Sequence, residues 1–190
     1  MSKRISLIIS VLFLANISFA QLPNPQEDGT GIRVMFYNVE NLFHPTNDSI
    51  KNDDEFTKDG TRYWSWNRYK DKIAKSAKTA IAVGGWDPPA VIGLCEIEEI
   101  RCLEDLVKNS PLERFGYEIV HQESGDNRGI DVALLYRPDL FELVSYKAHV
   151  LKFPEEGSRP SRDILYVSGK VGNDTLHLFV NHWPSRYGGQ

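Results

Sequence analysis

The chain has 190 residues, with 26 acidic against 22 basic side chains for a formal charge of −4, and 41% of its residues are hydrophobic. That length suits one domain with a real core. The acidic balance excludes nucleic-acid binding through a general counterion-release surface, so any phosphate contact must come from a few placed arginines or from a metal.

Lys3 and Arg4, an apolar run from Ile5 to Leu14 and a small-x-small site at Ser18-Phe19-Ala20 read as a secretory signal peptide over residues 1–20, cleaved before Gln21. The run is short for a bilayer core and is closed by Asn16 and Ser18, so no stable membrane insertion is expected after cleavage. No cysteine stands at the cleavage point, which argues against a lipoprotein anchor. Losing Lys3 and Arg4 takes the formal charge to −6. The expectation is an exported protein, periplasmic or extracellular, and monomeric.

After a flexible Pro/Asn/Gly-rich lead over residues 21–30, "IRVMFYNVENLF" supplies a buried strand expected to end at Asn38. "HPTNDSIKNDDEFTKDGTRYW" is polar and turn-rich and reads as a long surface loop. Its Asp53, Asp54 and Glu55 are expected in solvent, because their spacing matches no calcium loop. From Asn67 to Val83 the period turns helical: Tyr69, Ile73, Ala77, Ala80 and Ile81 share a face, Ser65 or Asn67 caps the start, and Gly84-Gly85 stops it. "AVIGLC" is a second buried strand, and "EEIRCLEDLVKN" a short helix with Leu103, Leu106 and Val107 inward. Strands follow at Tyr117–His121, Ile130–Tyr136, Phe141–Phe153, Ile164–Val171 and Thr175–Asn181, the last two joined by a tight Gly172-Asn173-Asp174 hairpin. This order indicates a mixed sheet with helices packed on it. Cys95 in a strand and Cys102 in a helix are expected as buried free thiols, since that geometry need not bring their Cα atoms within bridging reach.

Three of these strands finish on a polar residue of catalytic type: Asn38, Glu96 and His182. Strand ends are where a rigid element fixes a side chain and a loop leaves it open, so the three are candidates for one shared rim. Each also has an ordinary explanation, as a turn former, a helix-start charge or a surface imidazole. Chemically, a carboxylate beside an amide oxygen is a small hard-oxygen site that suits Mg²⁺ while leaving room for waters and substrate phosphate. A histidine within a few ångströms serves as donor to phosphate or to a leaving oxygen.

"FYNVENLF", "VIGLCEIEE", "RGIDVALLYRP", "SRPSRDILYV" and "LFVNHWPSR", in that order, resemble the endonuclease/exonuclease/phosphatase family. That group includes DNase I-like nucleases, abasic-site endonucleases, sphingomyelinases and inositol polyphosphate 5-phosphatases. The resemblance implies an α/β fold, a DNase I-like mixed β-sheet sandwich with flanking helices, of which residues 31–190 form the N-terminal portion. It implies a Mg²⁺ or Mn²⁺ site at Asn38 and Glu96, a phosphate-binding catalytic His182, and a phosphate-contacting Arg162 just before a strand. The planar guanidinium fork suits that last role; a solvated loop arginine beside Arg159 is the alternative. Arg128 and Asn181 join Arg162 as candidate substrate-binding residues. Asp131, inside an apolar strand, needs a partner, which pairing with Arg128 or Arg162 or a hydrogen bond into the metal site would supply; the structural pair is the expectation. The family also uses a Gly-Asp-x-Asn segment and a late Asp-His pair, and neither follows His182. The expectation is therefore an exported metal-dependent phosphoesterase, foremost a nuclease acting on phosphodiesters. It is expected to be incomplete at its C-terminus and nearly inactive as these 190 residues alone. A lipid or sugar phosphate as substrate, and a non-catalytic secreted binding module, stand as the alternatives.

Overall fold

The computed structural model describes residues 31–85, 87–151 and 161–183. The leader and lead sequence, Arg159 and the last part of the expected 141–153 strand lie outside the described residues. Two sheets face each other. The first has the order β1-β2-β4-β3, from β1 (Val34–Leu42), β2 (Val91–Ile97), β3 (Glu118–His121) and β4 (Asp131–Tyr136). β1 and β2 run parallel and the remaining pairs antiparallel. The second sheet is a meander of β5 (Glu142–His149), β6 (Ile164–Val171) and β7 (Asp174–Val180).

Helices α1 (Trp66–Val83) and α2 (Ile100–Lys108) cover the outer face of the first sheet. α1 starts at Ser65, whose hydroxyl accepts from the Arg68 amide, and it buries Tyr69, Ile73, Ser76, Ala77, Ala80 and Ile81. The 3.6-residue period had marked this face, with Ser76 added. No helix among the described residues is long and apolar enough to cross a membrane.

Strands β2 and β4 are buried on both faces, which is why they read as continuous apolar runs. Ile92, Leu94 and Ile97 join the helix-side core, whereas Val91 and Cys95 join the core between the sheets. Cys102 lies on the helix side, so the two cysteines belong to different cores; both are free and buried, as expected. The sheets approach at Gly93 of β2, where an added Cβ would lie 3.5 Å from Val180 of β7, and within the second sheet's core an added Cβ at Gly169 would lie 2.1 Å from the Phe141 ring. Gly172, at φ 58°, makes the tight turn from β6 to β7.

Three expectations need correction. β1 continues past Asn38 to Leu42 through an irregularity, because its pairing with β2 resumes at Leu42 opposite Ile97. The segment between β1 and α1 is largely exposed, Asp54 and Glu55 included, as expected, but it is anchored to the core at points the sequence did not mark. Phe43 and Phe56 stack at 3.9 Å, Trp64 donates from Nε1 to the Phe43 carbonyl at 2.7 Å, and Asp53 is only 1% exposed. Its aromatics fold the segment onto the helix-side core, a result that its polar composition concealed. Asp131 pairs with neither arginine: one oxygen accepts the Ser124 amide at 3.0 Å, and the other lies 3.5 Å from His121 Nε2.

Candidate metal and phosphate site

Strand register brings the expected residues to one rim. Asn38 on β1 is paired with Cys95 on β2, next to Glu96. On the other side of β2, Cys95 and Ile97 face the consecutive residues Val132 and Asp131 of β4, which leaves Glu96 as the extra residue of a bulge. Its φ of 65° is in the left-handed region, uncommon for a side-chain-bearing residue. A bulge re-aims a side chain out of the alternating pattern, and here it frees a carboxylate from a strand whose other residues are buried. In the second sheet Leu165 of β6 pairs with Val180 of β7, so Arg162, just before β6, and His182, just after β7, leave at the same end.

The carboxylate of Glu96 is the hub. Its Oε1 accepts from Asn38 Nδ2 at 2.9 Å and lies 3.6 Å from His182 Nε2, and its Oε2 accepts the Asn41 amide at 2.8 Å. Asn38 is itself held, because its Oδ1 accepts the Glu40 amide at 2.8 Å. Glu40 and Asn41 also have positive φ, at 56° and 58°, so the irregularity in β1 turns an amide toward the carboxylate.

Arg162 is 9% exposed and its Nε lies 3.6 Å from Asp126 Oδ2. Arg128 reaches the same acid, its Nε 3.9 Å from Oδ1, but its side chain is half exposed. Burial lowers the His182 pKa below its ordinary value, and Arg162 and Arg128 push the same way against Glu96 and Asp126. The imidazole is therefore mainly neutral at pH 7, with one ring N–H to donate. Asn181 is not part of this cluster by hydrogen bonding: its Nδ2 turns back to the Phe179 carbonyl at 3.0 Å.

Glu96, oriented by Asn38, fits a hard divalent cation. Glu96 presents two carboxylate oxygens on the wall of an open cavity, backed by an amide side chain and a backbone N–H. A single acidic ligand with water-filled space is the arrangement Mg²⁺ tolerates and a dedicated calcium cage does not. Two other groups of ligand-type atoms lie within 4.8 Å of one another among the described residues: Glu98, Glu99 and Cys102, and His121, Glu123 and Asp131. Neither group includes Glu96, and in the second Lys51 already sits 3.1 Å from Glu123.

Sequence reasoning missed Asn41 and Asp126. Asp126 had a signal, as the one acid in the "SGDNRG" turn that leads into an apolar strand. Asn41 contributes only its backbone, which no residue type announces.

Comparison with known proteins agrees with this architecture. The family model described as the Endonuclease/Exonuclease/phosphatase family matches residues 33–190. No curated protein matches the sequence. Among solved structures, ANGEL2, a 2′,3′-cyclic phosphatase, in complex with adenosine-2′,3′-vanadate superimposes with a TM-score of 0.51 at 15% identity, over 78% of this chain and 40% of that one. A mannosyl-6-phosphatase from Bacteroides thetaiotaomicron VPI-5482 gives 0.47 at 18% identity, over 78% of this chain and 49% of its own. Humanized D. rerio TDP2 gives 0.46 at 15% identity, over 78% and 45%. This chain thus spans less than half the length of each of these three, and at such identities the likeness bears on the fold alone. With the family model spanning nearly all of the described residues, and the expected sandwich of two sheets with flanking helices in place, the chain belongs to the endonuclease/exonuclease/phosphatase family.

Proposed function

We propose that the protein is an exported, Mg²⁺- or Mn²⁺-dependent phosphoesterase, a phosphodiesterase with nucleic acid as its foremost substrate. The observation that carries this reading is the convergence on Glu96 of Asn38 at 2.9 Å and His182 at 3.6 Å, from segments far apart in the chain. Family membership supports it. Export rests on the leader at residues 1–20 alone.

In this reading Glu96 holds the cation, which when bound supplies Lewis-acid charge to a phosphate oxygen. Asn38 and the Asn41 amide fix the Glu96 carboxylate in one orientation. Arg162 donates its guanidinium N–H groups to phosphate oxygens, and Asp126 restrains its position. His182, partly buried and within electrostatic reach of Arg162, donates one N–H to the phosphate as its charge develops. Arg128, half exposed, serves as an outer substrate contact.

The natural full-length protein is the one to assay. It should hydrolyse bis(p-nitrophenyl) phosphate with Mg²⁺ and stop on chelation, and Glu96→Ala should lower the rate by more than about 100-fold, above the range for outer-shell residues. Plasmid DNA and sphingomyelin as parallel substrates separate a nuclease from a lipid phosphodiesterase. Calorimetry with Mn²⁺ that shows no heat, and no change on Glu96→Ala, would make the protein a binder instead of an enzyme.

A further inference from the structure

A cavity of about 550 Å³ shares Asn38 and Glu96 with the cluster but continues toward α1, where Trp64, Arg62, Arg68 and Lys72 line it. Trp64 is buried and tied by Nε1 to the Phe43 carbonyl, so its ring is a fixed platform. Two cations lean on that ring: the Arg68 guanidinium at 6.0 Å and the Lys72 ammonium at 5.9 Å from its centroid. They stand four residues apart on one helix face, where like charges oppose helix stability.

Neither cation forms an ion pair with a carboxylate among the described residues. Arg68 donates to the backbone carbonyls of Arg62 and Tyr63, which orient the guanidinium without cancelling its charge. Lys72 is half-buried, and no carboxylate forms an ion pair with it. Burial lowers its pKa, while Glu40 and Glu96, which line the same cavity, pull it up. Arg62 differs, being paired with Glu55 at 3.1 Å. Two cations without an ion-pair partner among the described residues, held against one fixed ring beside Glu96, make a receptor for an anion that shares the cavity with the carboxylates of Glu40 and Glu96.

We infer that Arg68 and Lys72 on the Trp64 platform form a second anion subsite that holds a phosphate flanking the one bound at Glu96. This rests on the phosphoesterase reading above and narrows it: the substrate carries two phosphate groups a few bonds apart. The flanking phosphate is either the next linkage of a nucleotide strand or the second ester of a small bisphosphate. A substrate with one phosphate and apolar substituents leaves the subsite unfilled.

The test uses the natural full-length protein with Mg²⁺ and three substrates: the dinucleotide pTpT, fructose 1,6-bisphosphate and bis(p-nitrophenyl) phosphate. Lys72→Met should lower kcat/KM for a doubly phosphorylated substrate at least about tenfold more than for bis(p-nitrophenyl) phosphate, the size expected of one charge-assisted contact. Lys72→Arg should restore most of it. Whichever of pTpT and the sugar bisphosphate shows the loss identifies the source of the phosphate. Calorimetry with thymidine 3′,5′-bisphosphate against thymidine 5′-monophosphate gives a readout without turnover. If no substrate is hydrolysed but Lys72→Met still weakens bisphosphate binding about tenfold, the phosphoesterase reading falls and the subsite stands. Equal losses on all three substrates, or a bisphosphate that binds no tighter than the monophosphate, overturn the subsite.

Discussion

Glu98, two residues beyond Glu96, is 3% exposed and accepts the His44 amide at 2.6 Å. Burial pushes its carboxyl up to about 8, opposed by that amide and reinforced by Asp53 and Glu99. A group whose folded pKa is raised stabilises the fold fully below its unfolded value, near 4.5, and loses that contribution as pH rises through about 8. Between pH 5 and 9 the melting temperature should therefore fall, and Glu98→Gln, which keeps a donor toward Asp53 and cannot ionise, should flatten the decline. Thermal scans across that range check it; an equal decline in the variant would mean that Glu98 is not the titrating group. At this scale the sequence was legible where chemistry sets residue type, as at Asn38, Glu96, His182 and Arg162. It was not legible where tertiary register chooses a partner: Asp131 has His121, and Arg162 has Asp126. An ion-pair partner across a turn depends on how two strands end, and no local pattern encodes that.

Elements were legible where hydrophobic period was clean and illegible where it was interrupted. The α1 face and the doubly buried β2 and β4 follow from spacing and from runs of apolar residues. The bulge at Glu96 does not, because an extra residue in a strand breaks the alternation from which strands are read. The same holds for the aromatic segment between β1 and α1, whose packing depends on Phe43, Phe56 and Trp64 meeting across intervening polar residues. One element-scale contact is sharp enough to test. Phe141 is 1% exposed and its ring fills the space over Gly169. Gly169→Ala should destabilise the chain by about 1–3 kcal/mol, the usual cost of overpacking, read as a lower urea midpoint with an unchanged slope. Phe141→Leu in the same chain should recover part of the loss, since the two side chains compete for one volume and their effects are not additive.

At the scale of the molecule, the acidic sequence and the cationic site are compatible because the positive charge is placed and not spread. Arg162 and Arg128 lie on one part of the rim, and Arg68 and Lys72 line the neighbouring cavity. The edge strands are the other feature of this scale. Among the described residues β1 borders the first sheet and β7 the second, and Val34, Phe36 and Phe179 on them are 50%, 58% and 59% exposed. Together with Leu178 and Val180 they line an apolar cleft between the sheets. Ladder groups left unpaired beside apolar side chains recruit other strands. Replacing Phe36 and Phe179 together by serine should lower the fluorescence of a bound hydrophobic dye such as anilinonaphthalene sulfonate, with the far-ultraviolet dichroism unchanged. Dye signal that persists would place the accessible apolar surface elsewhere.

The bulge at Glu96 has a last consequence, for mutational tolerance. A backbone in the left-handed region is forgiving of glycine, asparagine and aspartate and hostile to valine, isoleucine and threonine. Libraries randomised at position 96 should therefore be thinned twice, once by chemistry and once by sterics. Expression would reject the β-branched variants, while Asn and Asp would accumulate as well-folded proteins with altered cation affinity.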